Sequence, residues 1–327
     1  MSAAVWETME GTRIKELTAN QDILGYYLVR ESTLKEGANG PYLDMILSDR
    51  TGNISAKIWQ CQTGDARLYV RGTMVKVMAK IVEYRGNLQM NIGKIRLVEP
   101  DDGIDVEDYV DSAPMVSGEM YDRISGFARE IGDGAIRSVV EYFLTLYREK
   151  LMYYPAAKSI HHAIRGGLLY HTLKMLEAAE KMAEVYGSLN RDLLYAGVIL
   201  HDMEKVNEME SDRLGMAEYT LEGELLGHLV MGARNIDRVA RELNVPESTS
   251  LLLQHMIISH HLKAEYGSPK PPMLPEAEVL HHLDMIDARI YSFNNTLESL
   301  EEGEMSQRVF ALDNRRVYKI PPMNGDE

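Results

Sequence analysis

The chain has 327 residues, 45% hydrophobic and 26% charged, an ordinary globular composition at a length that suits two or three domains. Its longest apolar stretch, Leu193 to Leu200, is far below the roughly 18–20 residues that span a bilayer. The N-terminal MSAAVWETMEGTRI lacks the basic-then-apolar pattern of a secretory signal, and a single cysteine, Cys61, excludes an intrachain disulfide and a multi-cysteine zinc site. A reducing cytoplasm is the expected setting. The net charge of −15 is unevenly divided, +2 over residues 1–100 and −17 over 101–327, which excludes a broad basic footprint but leaves room for local strand binding by the front part.

Residues 12–98 read as strands. Ile23 to Glu31 is β-rich, and Pro41 to Leu47 and Ile54 to Trp59 flank the turn Ser48-Asp49-Arg50-Thr51-Gly52-Asn53. Gly72 to Val82 and Leu88 to Val98 flank a second turn at Arg85-Gly86-Asn87. Such a meander suits an all-β OB-type Greek-key barrel over residues 1–98, with an SH3-like barrel as the competing architecture. Residues 99–114 are acidic and carry no apolar periodicity, so a linker is expected there. From 115 to 320 apolar residues recur at spacings of three and four, the mark of an all-α domain. Helices are expected at Met120–Gly132, Ala135–Glu149, Leu168–Tyr186, Asp192–Val206, Glu222–Leu243, Pro246–His260, Pro275–Leu297 and Met305–Leu312. Gly187 with Asn190, and Asn244-Val245-Pro246, supply stop and restart signals between them. Residues 321–327 read as a short polar tail.

Every histidine lies between His161 and His282. His201 is followed directly by Asp202 at the end of the apolar run LLYAGVIL. Imidazole and carboxylate together suit Mn²⁺, Fe²⁺, Zn²⁺ or Mg²⁺, and a rigid helix end fixes both donors. An isolated His-Asp pair is more often a surface or capping pair. The ordered series is more specific: His171 precedes His201 by 30 residues, His228 follows by 27, His260-His261 begins 32 later, and Asp284 comes 23 after His261. Helices from a bundle can bring such donors to one interior point.

The order His, His-Asp, His, His-His, Asp resembles that of the HD phosphohydrolase superfamily in its version with a second metal position. The stretches YPAAKSIHHAIRGGLLYHTLKM, NRDLLYAGVILHD, EGELLGH, SHHLKAEYGSPKPPM and FALDNRRVY resemble the YhaM-type 3′→5′ exoribonucleases, in which an OB-fold domain precedes an HD domain. The resemblance runs over roughly residues 12–320, and AEYGSPKPP is its most specific piece. It implies the 3′→5′ activity on RNA, a preference for Mn²⁺, a first metal held by His171, His201, Asp202 and Asp284, and a second shared by Asp202 with His228, His260 and His261. Asp287, one turn after Asp284, is the fallback ligand. The chain departs from the family's His-Asp-Ile-Gly-Lys in reading His201-Asp202-Met203-Glu204-Lys205. Glu204 adds a carboxylate that would be an extra ligand or repel phosphate if turned inward, and would change little if turned to solvent.

On this reading Asp202 is a catalytic residue that takes a proton from water, and Lys205 or Lys270 offsets phosphate charge. His162 is a candidate for supporting a ligand from behind or for contacting phosphate. His161, His255, His281 and His282 are read as packing or surface residues. Tyr42, Trp59 and Tyr84, with Arg30, Lys57 and Arg85, are the candidates for gripping single-stranded RNA, or DNA, by stacking and phosphate contact. The bland reading of each is barrel packing or solvated surface. Two further classes remain open: a phosphohydrolase of nucleotides or cyclic dinucleotides, and a nucleic-acid-binding replication or regulatory factor with a weak metal site. The oligomeric state is also open, a homo-oligomer included.

Overall fold

A computed structural model describes residues 12–37, 40–59, 61, 64–104, 109–158 and 162–322. It divides after Ser112 into two compact units. In the first, five strands close a barrel in the order β1-β2-β3-β5-β4: β1 (Asp22–Gly37), β2 (Gly40–Asp49), β3 (Gly52–Trp59), β4 (Met74–Tyr84) and β5 (Asn87–Leu97), with the short α1 (Asp65–Leu68) between β3 and β4. All ladders are antiparallel except β3 with β5, where Ser55, Ala56 and Lys57 pair with Gln89, Met90 and Asn91. This is the OB-type barrel expected from the alternating residues. Tyr27, Leu43, Met45, Leu47, Val77, Ile81 and Met90 point inward and are fully buried.

The strands run longer than the apolar patterns, because the β1–β2 ladder continues to Gly37–Gly40, where Thr33 to Gly37 of β1 are exposed. The β2–β3 turn is tied by Asp49, whose carboxylate accepts from Thr51 N at 2.7 Å and Ile14 N at 2.8 Å. The β4–β5 turn places Arg85 and Gly86 at φ 53° and 81°, the type I′ geometry of a two-residue hairpin. Within the stretch 99–114, Asp102 is not loose linker. Its carboxylate accepts from both guanidinium nitrogens of Arg96 at 2.6 Å and from Lys76 Nζ at 3.1 Å.

The second unit is helical: α2 (Ser117–Glu130), α3 (Gly134–Leu151), α4 (Gly167–Val185), α5 (Arg191–Leu200), α6 (Lys205–Glu208), α7 (Leu221–Glu242), α8 (Glu247–Ser259) and α9 (Pro275–Glu298). Asn190 caps α5 by accepting from Leu193 N, and every residue from Leu193 to Leu200 is buried. That helix is the apolar centre of the unit; each fully buried Leu, Ile or Val side chain contributes about 1.5–3 kcal/mol to burial. Three details differ from expectation. The helix expected over Asp192–Val206 ends at Leu200, and His201–Glu204 form a tight turn before α6. A hairpin, β6 (Met209–Ser211) with β7 (Ala217–Tyr219), follows α6. It turns on Asp212, which accepts from Leu214 N and Met216 N, and on Gly215 at φ 79°.

Met305–Leu312 is not an α-helix. Met305 bridges Tyr318, Val309 bridges Arg315, and a 3₁₀ turn covers Phe310–Leu312. Asp313 and Asn314 adopt φ 55° and 57° and reverse the chain, a conformation their short polar side chains tolerate. The three-and-four spacing of Met305, Val309 and Leu312 mimics a helix, but only Leu312 of these is buried.

Candidate metal centre

Asp202 sits at the end of α5, 3% exposed, with histidines on both sides of its carboxylate. Its Oδ2 lies 3.3 Å from His201 Nε2 and 3.8 Å from His171 Nε2, which comes from α4. Asp284 Oδ1, from α9, lies 3.4 Å from that same His171 nitrogen. The other oxygen of Asp202, Oδ1, lies 3.4 Å from His228 Nε2 and 3.9 Å from His260 Nε2. Donor atoms of His171, His201 and Asp202 come within 4.8 Å of one another, as do those of His228, His260 and His261. The structure therefore gathers the expected donor series around the Asp202 carboxylate.

The rings are oriented by what their outer nitrogens touch. His201 Nδ1 donates to Val198 O at 2.8 Å, His260 Nδ1 to Ile257 O at 2.7 Å, and His261 Nδ1 to Tyr266 O at 2.8 Å. His228 Nδ1 lies 3.0 Å from Glu208 Oε1. Engaging Nδ1 leaves the Nε2 lone pair facing inward, the tautomer a metal ligand needs. Among the described residues Asp202 Oδ1, His228 Nε2 and His260 Nε2 are buried without a hydrogen-bond partner. Orphaned polar atoms cost about 1–3 kcal/mol each when nothing meets them, and these converge on one place. The donor set fits a divalent cation.

The charge balance agrees. Burial would raise the Asp202 carboxyl, but Lys205, His201 and His228 outweigh it and hold it well below the usual range. Burial, then the neighbouring His261 and His201, pushes His260 well down, so its ring is neutral. Burial likewise lowers His261. His171 goes the other way: burial opposes its charge, yet Asp284 and Asp287 push it up to about 10. That site holds a positive charge between carboxylates, and a bound cation would displace the proton.

Asp287, the fallback ligand, accepts from His171 Nδ1 at 2.6 Å and His162 Nε2 at 2.8 Å. It meets the nitrogen of His171 that faces away from Asp202, and so it orients a ligand. His162 is 1% exposed and stacks on Tyr291 at 4.0 Å between centroids, away from the open cavity. Lys205 is buried and donates to Asp202 Oδ2 at 2.7 Å. Lys270 is exposed and is not among the residues lining that cavity. Glu204 takes neither of its expected orientations: it is buried and accepts from Tyr147 Oη at 2.9 Å and Asn207 Nδ2 at 2.7 Å, away from the metal donors. His281 Nδ1 donates to His260 O at 2.7 Å, and the residue lines the cavity. His255 accepts from Met273 N, His282 pairs with Glu278 on the surface, and His161 lies outside the described residues.

Two residues escaped the sequence reading. Glu208 holds both the backbone N and the ring of His228. Gly227 makes this reach feasible: it interrupts α7 at φ 71°, ψ 159°, a conformation open in practice only to glycine, and turns His228 onto Glu208. The Gly-His step inside an otherwise helical pattern was the available signal. A cavity of about 420 Å³ opens over the centre, lined by Asp202, Lys205, His228, His261, His281 and Asp284 together with Tyr219 and Tyr266.

On the barrel, Tyr42 pairs across strands with Trp59, their rings 5.0 Å apart, and Lys57 Nζ stands 5.1 and 5.3 Å from the two centroids. Trp59 is 52% exposed and Nε1 donates to Asn91 at 3.3 Å. Tyr84 is exposed beside Arg85 at the β4–β5 turn. Arg30 differs, because its guanidinium donates to Ser48 Oγ and Asp111.

A five-stranded barrel ahead of a helical unit, whose histidines and aspartates gather around one buried carboxylate, defines an HD-domain protein with an OB-fold module. An HD domain profile matches residues 168–289 and an OB-fold nucleic acid binding domain profile residues 29–98. The chain is 43% identical over 295 residues to the 3′-5′ exoribonuclease YhaM of Geobacillus sp. strain WCH70, covering 90% of each chain. It is 41% identical to that of Bacillus subtilis strain 168, covering 90% of this chain and 93% of the other. With that of Bacillus licheniformis it is 40% identical over 311 residues, 95% and 98% of the two chains. The chain belongs to the YhaM 3′-5′ exoribonuclease family.

Proposed function

We propose that the protein is a divalent-metal-dependent 3′→5′ exoribonuclease acting on phosphodiester bonds of single-stranded RNA, with Mn²⁺ as its working ion and the cytoplasm as its setting. The observation that carries this reading is the carboxylate of Asp202, which faces two sets of inward imidazole nitrogens at the floor of an open cavity. His171, His201, Asp202 and Asp284 would hold one ion, and His228, His260 and His261, sharing Asp202, a second. When bound, such ions supply Lewis acidity toward phosphate and a water acidic enough to ionise near neutral pH.

The chain's own residues set the rest. Asp202, held well below the usual carboxylate range, stays ionised at neutral pH and serves as an anchor, a poor proton acceptor. Burial works against the Lys205 ammonium, but Asp202, with Asp284 and Glu208, keeps it charged. It lines the cavity, where it can offset charge on a phosphoryl group. Asp287 and Glu208 hold the rings of His171 and His228 in register. On the barrel, Tyr42, Trp59 and Lys57 form an aromatic and basic outer face, with Tyr84 and Arg85 at the β4–β5 turn. Strands 2 and 3 and that turn are the surfaces OB-folds use for oligonucleotides. Of the basic candidates Arg30 is the least available. The substitution at Glu204 lends no weight to an inactive binding protein, since its carboxylate is turned away from the centre.

The test is a 5′-labelled RNA oligomer incubated with protein and Mn²⁺, beside an Asp202→Ala control and a DNA oligomer of the same sequence. A ladder that shortens from the 3′ end and is lost in the control supports the reading. Strand binding without shortening, or turnover confined to mononucleotides, overturns it.

A further inference from the structure

The cavity over Asp202 carries two aromatic rings that the metal centre does not use. Tyr219 ends β7, and Tyr266 ends a 3₁₀ turn at Ala264–Tyr266. Both line the cavity, yet they remain 45% and 62% exposed. Packing tyrosines bury their rings; these keep much of theirs open to solvent at a cavity wall. Each is pegged to an element that carries ligands. Tyr266 O accepts from His261 Nδ1 at 2.8 Å. Tyr219 pairs with Met209, the residue directly after α6, and the next residue, Thr220, donates its N–H to Glu208 O at 2.9 Å. The backbone that carries each ring is therefore tied to the metal centre.

Each ring also has an ammonium beside it: Lys158 Nζ lies 5.9 Å from the Tyr219 centroid and Lys263 Nζ 5.7 Å from that of Tyr266. Among the described residues both lysines pair with surface carboxylates, Glu218 and Glu265, and such exposed pairs are weak and readily exchanged. Aromatic faces with adjacent cations are the composition of single-strand binding surfaces, where stacking tolerates any base. The cavity, at about 420 Å³, falls within the roughly 300–1,000 Å³ range of small-ligand sites.

We propose that Tyr219 and Tyr266 grip the base of the 3′-terminal nucleotide by stacking, as positioning residues that hold its phosphodiester over Asp202. The choice of substrate rests on the exonuclease reading. In that reaction water's oxygen bonds to phosphorus and the P–O3′ bond breaks. A proton passes to the departing 3′ oxygen, and a nucleoside 5′-monophosphate is released. AMP is therefore the product-like probe, and ribose 5-phosphate is the same probe without its base.

The experiment is calorimetric titration of both into the full chain with Mn²⁺, using wild type, Tyr219→Ala/Tyr266→Ala and Tyr219→Phe/Tyr266→Phe. Wild type is expected to prefer AMP by about ten-fold, the scale of one base–aromatic stack. The alanine variant should lose this preference while keeping its affinity for ribose 5-phosphate, and the phenylalanine variant should keep both. Equal binding of the two probes by wild type, or a preference that survives the alanine changes, overturns the proposal. In turnover, wild type should slow on RNA whose 3′-terminal nucleotide is abasic, and the alanine variant should not distinguish the two substrates. A base preference in binding without RNA shortening overturns the exonuclease reading and supports the stack; shortening without the preference does the reverse.

Discussion

Gly227→Ala isolates the placement of His228 from the rest of the fold. The added Cβ meets nothing closer than Glu208 Oε1 at 3.7 Å, so the change is not a steric clash. The cost is conformational: at φ 71°, ψ 159° a residue with a side chain is strained by about 1–3 kcal/mol. If the backbone keeps its shape, the helical unit loses that stability, which at roughly 2–4 °C per kcal/mol for a unit of this size lowers its Tm by about 2–12 °C. If the backbone relaxes into regular helix, His228 leaves Glu208, to which its N and Nδ1 are now bound at 3.0 Å. Freeing a ligand from its orienting partner lowers metal affinity by about 10–100-fold. Thermal unfolding with and without Mn²⁺, together with a Mn²⁺ titration, reads both branches. The variant should lose stability, metal affinity or both while its far-ultraviolet dichroism stays helical. A Gly227→Ala protein with wild-type Tm and wild-type Mn²⁺ affinity would refute the reasoning.

Glu204→Gln should cost about 1–3 kcal/mol of stability, because an amide donor then opposes the donors of Asn207 or Tyr147. Its Mn²⁺ affinity should stay within a few-fold of wild type, checked by chemical unfolding and metal titration. Asp102→Asn should destabilise the barrel by roughly 3 kcal/mol at pH 7, the low end for breaking a buried ion pair, since the Arg96 side chain is 28% exposed. The Arg96 guanidinium chiefly holds the Asp102 carboxyl far below its usual range. Its contribution is therefore complete above the unfolded carboxyl pKa of about 4 and fades as pH falls toward the folded value. The gap between wild type and variant should narrow below about pH 4 in denaturant titrations. Trp59→Ala should weaken single-stranded RNA binding by about 1–3 kcal/mol, measured by fluorescence anisotropy on the full chain, while leaving Mn²⁺ affinity unchanged.

Much of this was legible because the chemistry is written in regular patterns. Alternation at Leu43, Met45 and Leu47 put one face of β2 in the barrel, and the apolar run Leu193–Leu200 marked a central helix ending at His201-Asp202. The spacing of the histidines spread the candidate ligands over α4, the turn after α5, α7, the end of α8 and α9. What stayed hidden depends on contacts distant in sequence or on local backbone shape. Glu208 looks like one surface carboxylate among many until the Gly227 kink turns His228 toward it. Glu204 beside Asp202 reads as a candidate ligand, and only the position of Tyr147 on α3 shows that it faces the other way. Met305–Leu312 carries helical spacing by coincidence, overruled by the left-handed pair Asp313-Asn314. Tyr219 and Tyr266 lie in short connections without periodicity; Tyr266 stands in AEYGSPKPP, but neither the pattern nor the resemblance attached a role to it.

Anomalous diffraction at the manganese edge, from crystals grown with Mn²⁺, tests the central claim most directly. The account predicts manganese bound to Asp202, on the side of His171, His201 and Asp284 and on that of His228, His260 and His261. Manganese found only elsewhere on the acidic surface, with Asp202 unliganded, would contradict it.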